Sequence, residues 1–276
     1  MTRNGADEGP PEMITLAYAD STPDLVLLLI HGFPLSSRMW EPQLAELGEH
    51  ARIIVPDLRG FGDSEPVDGE YTMAELADDC MALLEALGVD GPIVVGGMSM
   101  GGYVALELLR QHPDRFAGLL LASTKAGADS AEARAGRDAT AARVAQDGID
   151  VVVAGMLGKL MANAVYDEDP ELVDEVEEMM RQSSQEGVIG ALAAMRDRAD
   201  STELLEQIKV PTLVVHGTED RVIPHAEAEA MAELLPEAGL VLLEGTGHMT
   251  PLEQPEAFNA ALKDFLVHVA ATLEEE

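Results

Sequence analysis

The chain has 276 residues, 47% of them hydrophobic and 25% charged, which fits one large globular unit, or one with an insertion, that needs no disulfide or metal staple. Its charge is far from balanced: 51 Asp and Glu face 17 Lys and Arg, for a formal net charge of −34. Such a field repels nucleic acid and anionic membrane, so neither is expected as a partner.

The first residues, "MTRNGADEGPPEM", lack the apolar core of a signal peptide, and 1–12 read as a flexible N-terminus. "MITLAYAD" follows as one antiparallel edge strand. Short runs rich in Val, Ile and Leu then recur between Gly, Pro and Asp: "LVLLLIHG", "ARIIVPD", "PIVVGG", "FAGLLLAS", "VPTLVVHG" and "GLVLLEG". Continuous apolar runs of this length suit strands buried on both faces of a parallel sheet. Helical patterns at 40–47, 73–87, 100–111, 226–235 and 255–273 alternate with them, which predicts an α/β fold with a mostly parallel, doubly wound sheet. "LVLLLI" is too short to span a bilayer, and the chain reads as a soluble, cytoplasmic protein. The single cysteine, Cys80, lies in the amphipathic stretch "MAELADDCMALLEALG" and reads as a small packing residue.

The alternation stops between 125 and 207. That stretch is rich in Ala, Glu, Asp and Met, and its periodicity accommodates about four helices, near 130–146, 149–163, 170–183 and 185–198. "VPTLVV" then resumes the sheet. The expected organisation is a core of 1–124 and 208–276 interrupted by a helical unit at 125–207.

Three chemistry-bearing stretches fall at expected strand ends, where ligands bind in open parallel sheets. Gly97-Met98-Ser99-Met100-Gly101 fits G-x-S-x-G between a strand and a helix, the setting in which that motif lifts a serine hydroxyl on a sharp turn. The competing reading makes Ser99 a helix cap. A serine nucleophile needs a base. His248 in "LVLLEGTGHMTPLEQP" follows one strand, and Asp220 in "VVHGTEDRVIP", preferred over the adjacent Glu219, follows another. An oxyanion hole needs two N–H donors. Met100, next after the serine, can supply one. Phe33 in "HGFP" can supply the second, whereas Pro34 has no N–H. His31, Asp57 and Asp63 read as loop structure. No H-E-x-x-H or cysteine pair and no P-loop lysine occurs, so no metal or nucleotide cofactor is implied.

Taken together, "HGFP", "DLRGFGDS", "GGMSMGGY", "HGTEDRVIP" and "GTGHMTPLEQP" resemble the motifs of the α/β-hydrolase superfamily in order and approximate spacing, over nearly the whole chain. Within it the chain is most similar to capped bacterial esterases, the 3-oxoadipate enol-lactonase-like group and the cofactor-free haloperoxidase (perhydrolase) group. "HGFPLSSRMW" resembles the perhydrolase oxyanion loop, although Met98 stands where those enzymes often carry an aromatic residue. The resemblance implies Ser99 as nucleophile, His248 as base, Asp220 as its orienting acid, Phe33 and Met100 as oxyanion donors, and 125–207 as a cap inserted after the sixth strand of the superfamily's sheet. Haloalkane dehalogenases and epoxide hydrolases share the scaffold but place an aspartate where this chain has Ser99.

The expected activity is hydrolysis of a small carboxylic ester or lactone through an acyl-enzyme, with perhydrolase chemistry, a lyase or a binding protein on the same fold as alternatives. Trp40, Met156, Leu160, Met161 and Met249 are the expected pocket residues, and the unbranched methionines among them make a plastic, apolar pocket suited to short acyl or aryl groups. The acidic field is expected to disfavour anionic substrates. The same excess of acid fits either adaptation to high salt or an ordinary acidic enzyme. Melting the protein across an NaCl series separates the two, and a midpoint that does not rise with salt rules out the first.

Overall fold

The computed structural model describes residues 25–275, so the expected strand "MITLAYAD" and the flexible 1–12 lie outside the described residues. Six strands, β1 (Val26–Ile30), β2 (Arg52–Ile54), β3 (Ile93–Met98), β4 (Phe116–Ala122), β5 (Thr212–Gly217) and β6 (Ala238–Leu243), form one sheet in the order β2-β1-β3-β4-β5-β6. Every pairing is parallel, with Ile30 opposite Gly97 and Val215 opposite Val241. These are the six apolar runs of the sequence. β3 and β4 are buried along their whole length. β6 is not: it is the sheet edge, exposed over its first three residues, with Leu240 at 38%. A continuous apolar run therefore marks this edge strand as readily as a central one.

The flanking helices begin where their caps direct. α1 (Glu41–Leu47) follows a 3-10 turn at Ser37–Trp40. α2 (Met73–Ala86) starts on a capping box, in which Thr72 Oγ1 accepts from the Glu75 N–H at 3.1 Å and Glu75 Oε2 accepts from the Thr72 N–H at 2.8 Å. Its Cys80 is fully buried, and burial pushes the thiol pKa well up, as a packing role requires. α3 (Met100–Gln111) packs on β1, β3 and β4.

Between β4 and β5 lie α4 (Ala131–Asp147), α5 (Asp150–Leu160), α6 (Asn163–Glu168), α7 (Pro170–Arg181), α8 (Gln185–Asp197) and α9 (Thr202–Leu205). The expected four helices become six, because the pattern at 149–163 breaks after Leu160 and a short turn at 202–205 carries no periodicity to detect. The sheet then continues through α10 (Ala226–Leu234), α11 (Thr250–Glu253) and α12 (Pro255–Glu275), the last packing on β4 and β5.

The helical segment rests on the sheet domain through close backbone contacts. Gly60 O accepts from the Ser184 N–H at 2.8 Å, and Gly187 O accepts from the Tyr71 hydroxyl at 2.7 Å. A Cβ on Gly190 would sit 2.0 Å from Tyr71 Cε1, and the ring cannot yield without loosening that hydroxyl bond. In an open helix position, Gly→Ala gains about 0.5–1 kcal/mol. Gly190→Ala is therefore expected to lower the urea-unfolding free energy by about 1–3 kcal/mol despite its better helix propensity. Gly158→Ala, in open space on α5, is expected to raise it by about 0.5–1 kcal/mol.

Candidate active site

Reversal of strand order between β1 and its neighbours opens a crevice beyond the carboxyl ends of β1 and β3, the topological switch point of the sheet. Ser99 lies there, directly after β3, with φ 53° and ψ −113°. A non-glycine residue in that region carries strain of order ~1–3 kcal/mol and persists only where its surroundings enforce it. The enforcement is visible. The Ser99 N–H donates to Ala122 O at 2.9 Å, and Ser99 O accepts from Thr124 Oγ1 at 2.7 Å. A Cβ on Gly97 would lie 2.1 Å from Gly101 O, and one on Gly101 would lie 2.1 Å from Ile30 O, so only glycine permits the turn and its approach to β1.

The capping alternative is not adopted. Ser130, Asp169 and Ser184 each accept a backbone N–H at the start of α4, α7 and α8, whereas the Ser99 side chain makes no cap bond to α3. Met100 is the first residue of α3, so its N–H has no intrahelical carbonyl to reach. Phe33 follows β1 in a turn closed by the Leu35 N–H donating to Gly32 O at 2.9 Å. Met98 packs beneath this turn: its Sδ lies 2.6 Å from where a Cβ on Gly32 would be.

Asp220 and His248 meet beyond β5 and β6. His248 Nδ1 lies 2.6 Å from Asp220 Oδ2, and both side chains are shielded from solvent. Asp220 Oδ1 accepts from the N–H groups of Val222 and Ile223 at 2.7 and 2.9 Å. Burial opposes ionisation of Asp220, but the charge of His248 together with hydrogen bonds from His216, His248 and Ile223 overrides it and holds the carboxyl well below the usual range.

His216 is a partner that motif reading missed. Its Nε2 lies 3.0 Å from Asp220 Oδ2 and 2.9 Å from Ile223 O; both are acceptors, so Nε2 carries the hydrogen. The signal was present as a histidine four residues before the acid, at the end of a buried strand. Glu253 was missed as well. Its carboxylate accepts from the N–H groups of Ala162, Gly247 and Met249 at 2.8, 2.9 and 3.0 Å, which ties the His248 loop to the end of the α5 region. Leu160 O accepts from the His248 N–H at 2.9 Å across the same seam. Burial pushes the Glu253 carboxyl pKa up against the pull of those three donors.

His31 and Asp57 occupy loop-forming positions. His31 Nε2 accepts from the Leu58 N–H at 3.0 Å while Nδ1 donates to Gly32 O, and burial drives its pKa down. Asp57 accepts the N–H groups of Ser37 and Asp63.

A cavity of about 470 Å³ opens over Ser99 and Phe33, walled by α4, α5 and α8. Met156 lines it. The other four expected pocket residues do not: Trp40, Leu160, Met161 and Met249 are fully buried. Trp40 packs on Phe258, with ring centroids 6.1 Å apart. Apolar helical spacing at 156–161 identifies a packed face without saying which end meets solvent. In their place Val151, Leu192 and Ile223 supply apolar wall, and Lys125, Arg137 and Arg143 supply charge.

Residues 26–255 match the alpha/beta hydrolase fold family, and the chain belongs to it. A solved structure of a thermophilic esterase from Thermogutta terrifontis, malate bound, superposes with TM-score 0.88 at 39% identity, covering 94% of this chain and 99% of that one. Among sequence relatives, 3-oxoadipate enol-lactonase 2 of Acinetobacter baylyi is 30% identical over 225 residues, covering 82% of each chain. The bifunctional esterase/perhydrolase DCH of Acinetobacter calcoaceticus is 29% identical over 253 residues, 87% of this chain and 91% of that one. Hydrolase fold and hydrolase relatives together make this protein an enzyme of that family.

The environment of Asp220 has a pH consequence. A carboxyl whose folded pKa is depressed contributes stability that is present above its unfolded value, about 3.9, and is lost as pH falls below it. In urea unfolding from pH 6 down to pH 3, the stability difference between wild type and Asp220→Asn is expected to hold and then narrow below about pH 4. A gap constant across that range would contradict a charge-stabilised Asp220.

Proposed function

We propose that the protein is a serine carboxylic-ester hydrolase, acting on esters or lactones through an acyl-enzyme. The observation that carries this reading is Ser99, held at positive φ on the floor of a cavity with its side chain unused as a helix cap, while a buried Asp220–His248 pair stands beyond neighbouring strands of the same sheet.

In this reading His248 Nε2 takes the Ser99 hydroxyl proton as Oγ attacks the carbonyl carbon. The N–H groups of Phe33 and Met100 receive the oxyanion. Collapse of the tetrahedral adduct expels the alkoxide, which takes the proton from His248. Water then attacks the acyl-enzyme, again giving a proton to His248, and Ser99 leaves with that proton restored. Asp220 keeps the Nδ1 hydrogen in place, so that Nε2 is the free base, and faces the imidazolium as it forms. Residues 125–207 act as a cap that supplies the cavity walls. The esterase and enol-lactonase relatives support the substrate class.

Similarity to an esterase/perhydrolase favours one secondary activity at the same site, with hydrogen peroxide replacing water in the second half-reaction to release a peracid. The primary test is covalent labelling by a fluorophosphonate together with turnover of p-nitrophenyl acetate. Ser99→Ala is expected to abolish labelling and lower kcat by about four to six orders of magnitude while leaving the circular-dichroism spectrum and urea midpoint intact. Near-wild-type turnover by that variant would overturn the assignment.

A further inference from the structure

The whole chain carries 51 acidic and 17 basic residues, yet the cavity over Ser99 reverses that balance. Three cations line it, Lys125, Arg137 and Arg143, against a single carboxylate, Asp129. Asp129 is already committed. It is bonded by Arg137 and by the buried Arg198, whose Nη1 lies 2.7 Å from Oδ1. Burial opposes its ionisation, but these two guanidinium groups hold its carboxyl pKa below the ordinary value. Lys125 and Arg143 have no acidic partner among the described residues.

Their placement makes this more than a surface accident. Lys125 follows Thr124, whose hydroxyl is bonded to Ser99 O at 2.7 Å, so the lysine side chain leaves the backbone beside the serine turn. Lys125 is half-buried, and Arg143, exposed on α4, lines the same cavity. Val151, Met156 and Leu192 add apolar wall to the same cavity. A serine hydroxyl, hydrocarbon wall and unpaired positive charge lining one cavity together complement one kind of molecule.

We propose that the substrate is an ester or lactone bearing a second, ionised carboxylate, which Lys125 and Arg143 bind while the connecting carbons pass over Val151, Met156 and Leu192. This rests on the serine-hydrolase reading above and specifies its substrate class. It also opposes the expectation from net charge alone. In a partly enclosed site the nearest charges dominate, because salt and water screen the distant acidic surface far more than they screen the lining groups.

Two matched ester pairs test it: p-nitrophenyl hemiglutarate against p-nitrophenyl valerate, with charge on the acyl side, and 4-acetoxybenzoate against p-tolyl acetate, with charge on the leaving-group side. The readout is the ratio of kcat/KM, charged over neutral, in each variant relative to wild type, which cancels intrinsic differences in ester reactivity. The double variant Lys125→Met/Arg143→Met is expected to lower that ratio about tenfold in at least one pair, mainly through KM, since a charge-assisted contact is lost. Lys125→Arg is expected to restore most of it, and Lys159→Met, an exposed lysine outside the cavity, to leave it unchanged. Unchanged ratios in both pairs overturn the proposal.

A calorimetric titration of the Ser99→Ala protein with glutarate makes the two readings fail separately. Glutarate affinity that drops about tenfold in the Lys125→Met/Arg143→Met background supports the carboxylate site even if none of the four esters is hydrolysed and Ser99 does not label, the outcome that would overturn the hydrolase reading. Binding that is insensitive to those substitutions, or absent at millimolar glutarate, counts against the carboxylate site even in an active esterase.

Discussion

The contact between the start of α3 and the end of β1 governs the rest of the site. Gly101 brings the helix so close to Ile30 O that a single methyl group could not fit, and Gly97 closes on Gly101 from the other side. With the helix drawn in this far, the residue between strand and helix has no regular conformation left and must take positive φ. Ser99 takes it. The same approach sets the Phe33 turn of β1 beside the first N–H of α3. The two expected oxyanion donors are therefore neighbours because of packing, not because either has a special side chain. Strain at one residue is offset by the buried apolar sheet on which both segments stand, where the side chains of Leu27, Leu28, Val94 and Val95 are fully excluded from water.

A second constraint acts on the other half of the site. Loops beyond β5 and β6 would be free to wander, yet Asp220 is fixed by two backbone N–H groups and by His216, and the His248 loop by Glu253 and Leu160 O. Several of these bonds cross to the helical segment: Glu253 to Ala162, His248 to Leu160, and Arg221 Nη2 to Met161 O at 2.8 Å. The helical segment and the imidazole are thus mechanically one unit. Any movement of that segment relative to the sheet must either carry His248 with it or break these bonds, of which those made by Glu253 and Arg221 are charge-assisted.

This division explains what could be read from the sequence. Six strands were legible because buried parallel strands are short, apolar and sharply punctuated, and Ser99, Asp220 and His248 were legible because each ends or follows such a run. The helices at 131–197 followed from their periodicity to within a residue or two, apart from the break after Leu160. What stayed hidden depends on direction rather than pattern. The apolar face at 156–161 shows one stripe, but of its residues only Met156 reaches the cavity, while Leu160 and Met161 are fully buried and Leu160 O accepts from the His248 N–H. Glu253 acts on Ala162, 91 residues away in the chain, and no local spacing marks such a bond, whereas His216, four residues before Asp220, left a signal that motif matching passes over. β6 looked like an interior strand because hydrophobic content says nothing about whether a neighbour exists on its second side.

Charge shows the same limit most sharply. A formal charge of −34 is a sum over the surface, and a sum carries no information about where its few exceptions lie. Several of the described arginines take acidic partners: Arg196 alone meets Glu70, Asp138 and Asp197, and Arg181 meets Asp150 and Glu177. The cavity over Ser99 differs by its make-up: its lining holds Lys125, Arg137 and Arg143 with one acidic side chain, Asp129, which is itself paired with Arg137 and Arg198. An acidic exterior and a cation-lined cavity are complementary in that proposal: the summed charge disfavours anions over the surface, and Lys125 and Arg143 offer one a place within the cavity that Ser99 also lines.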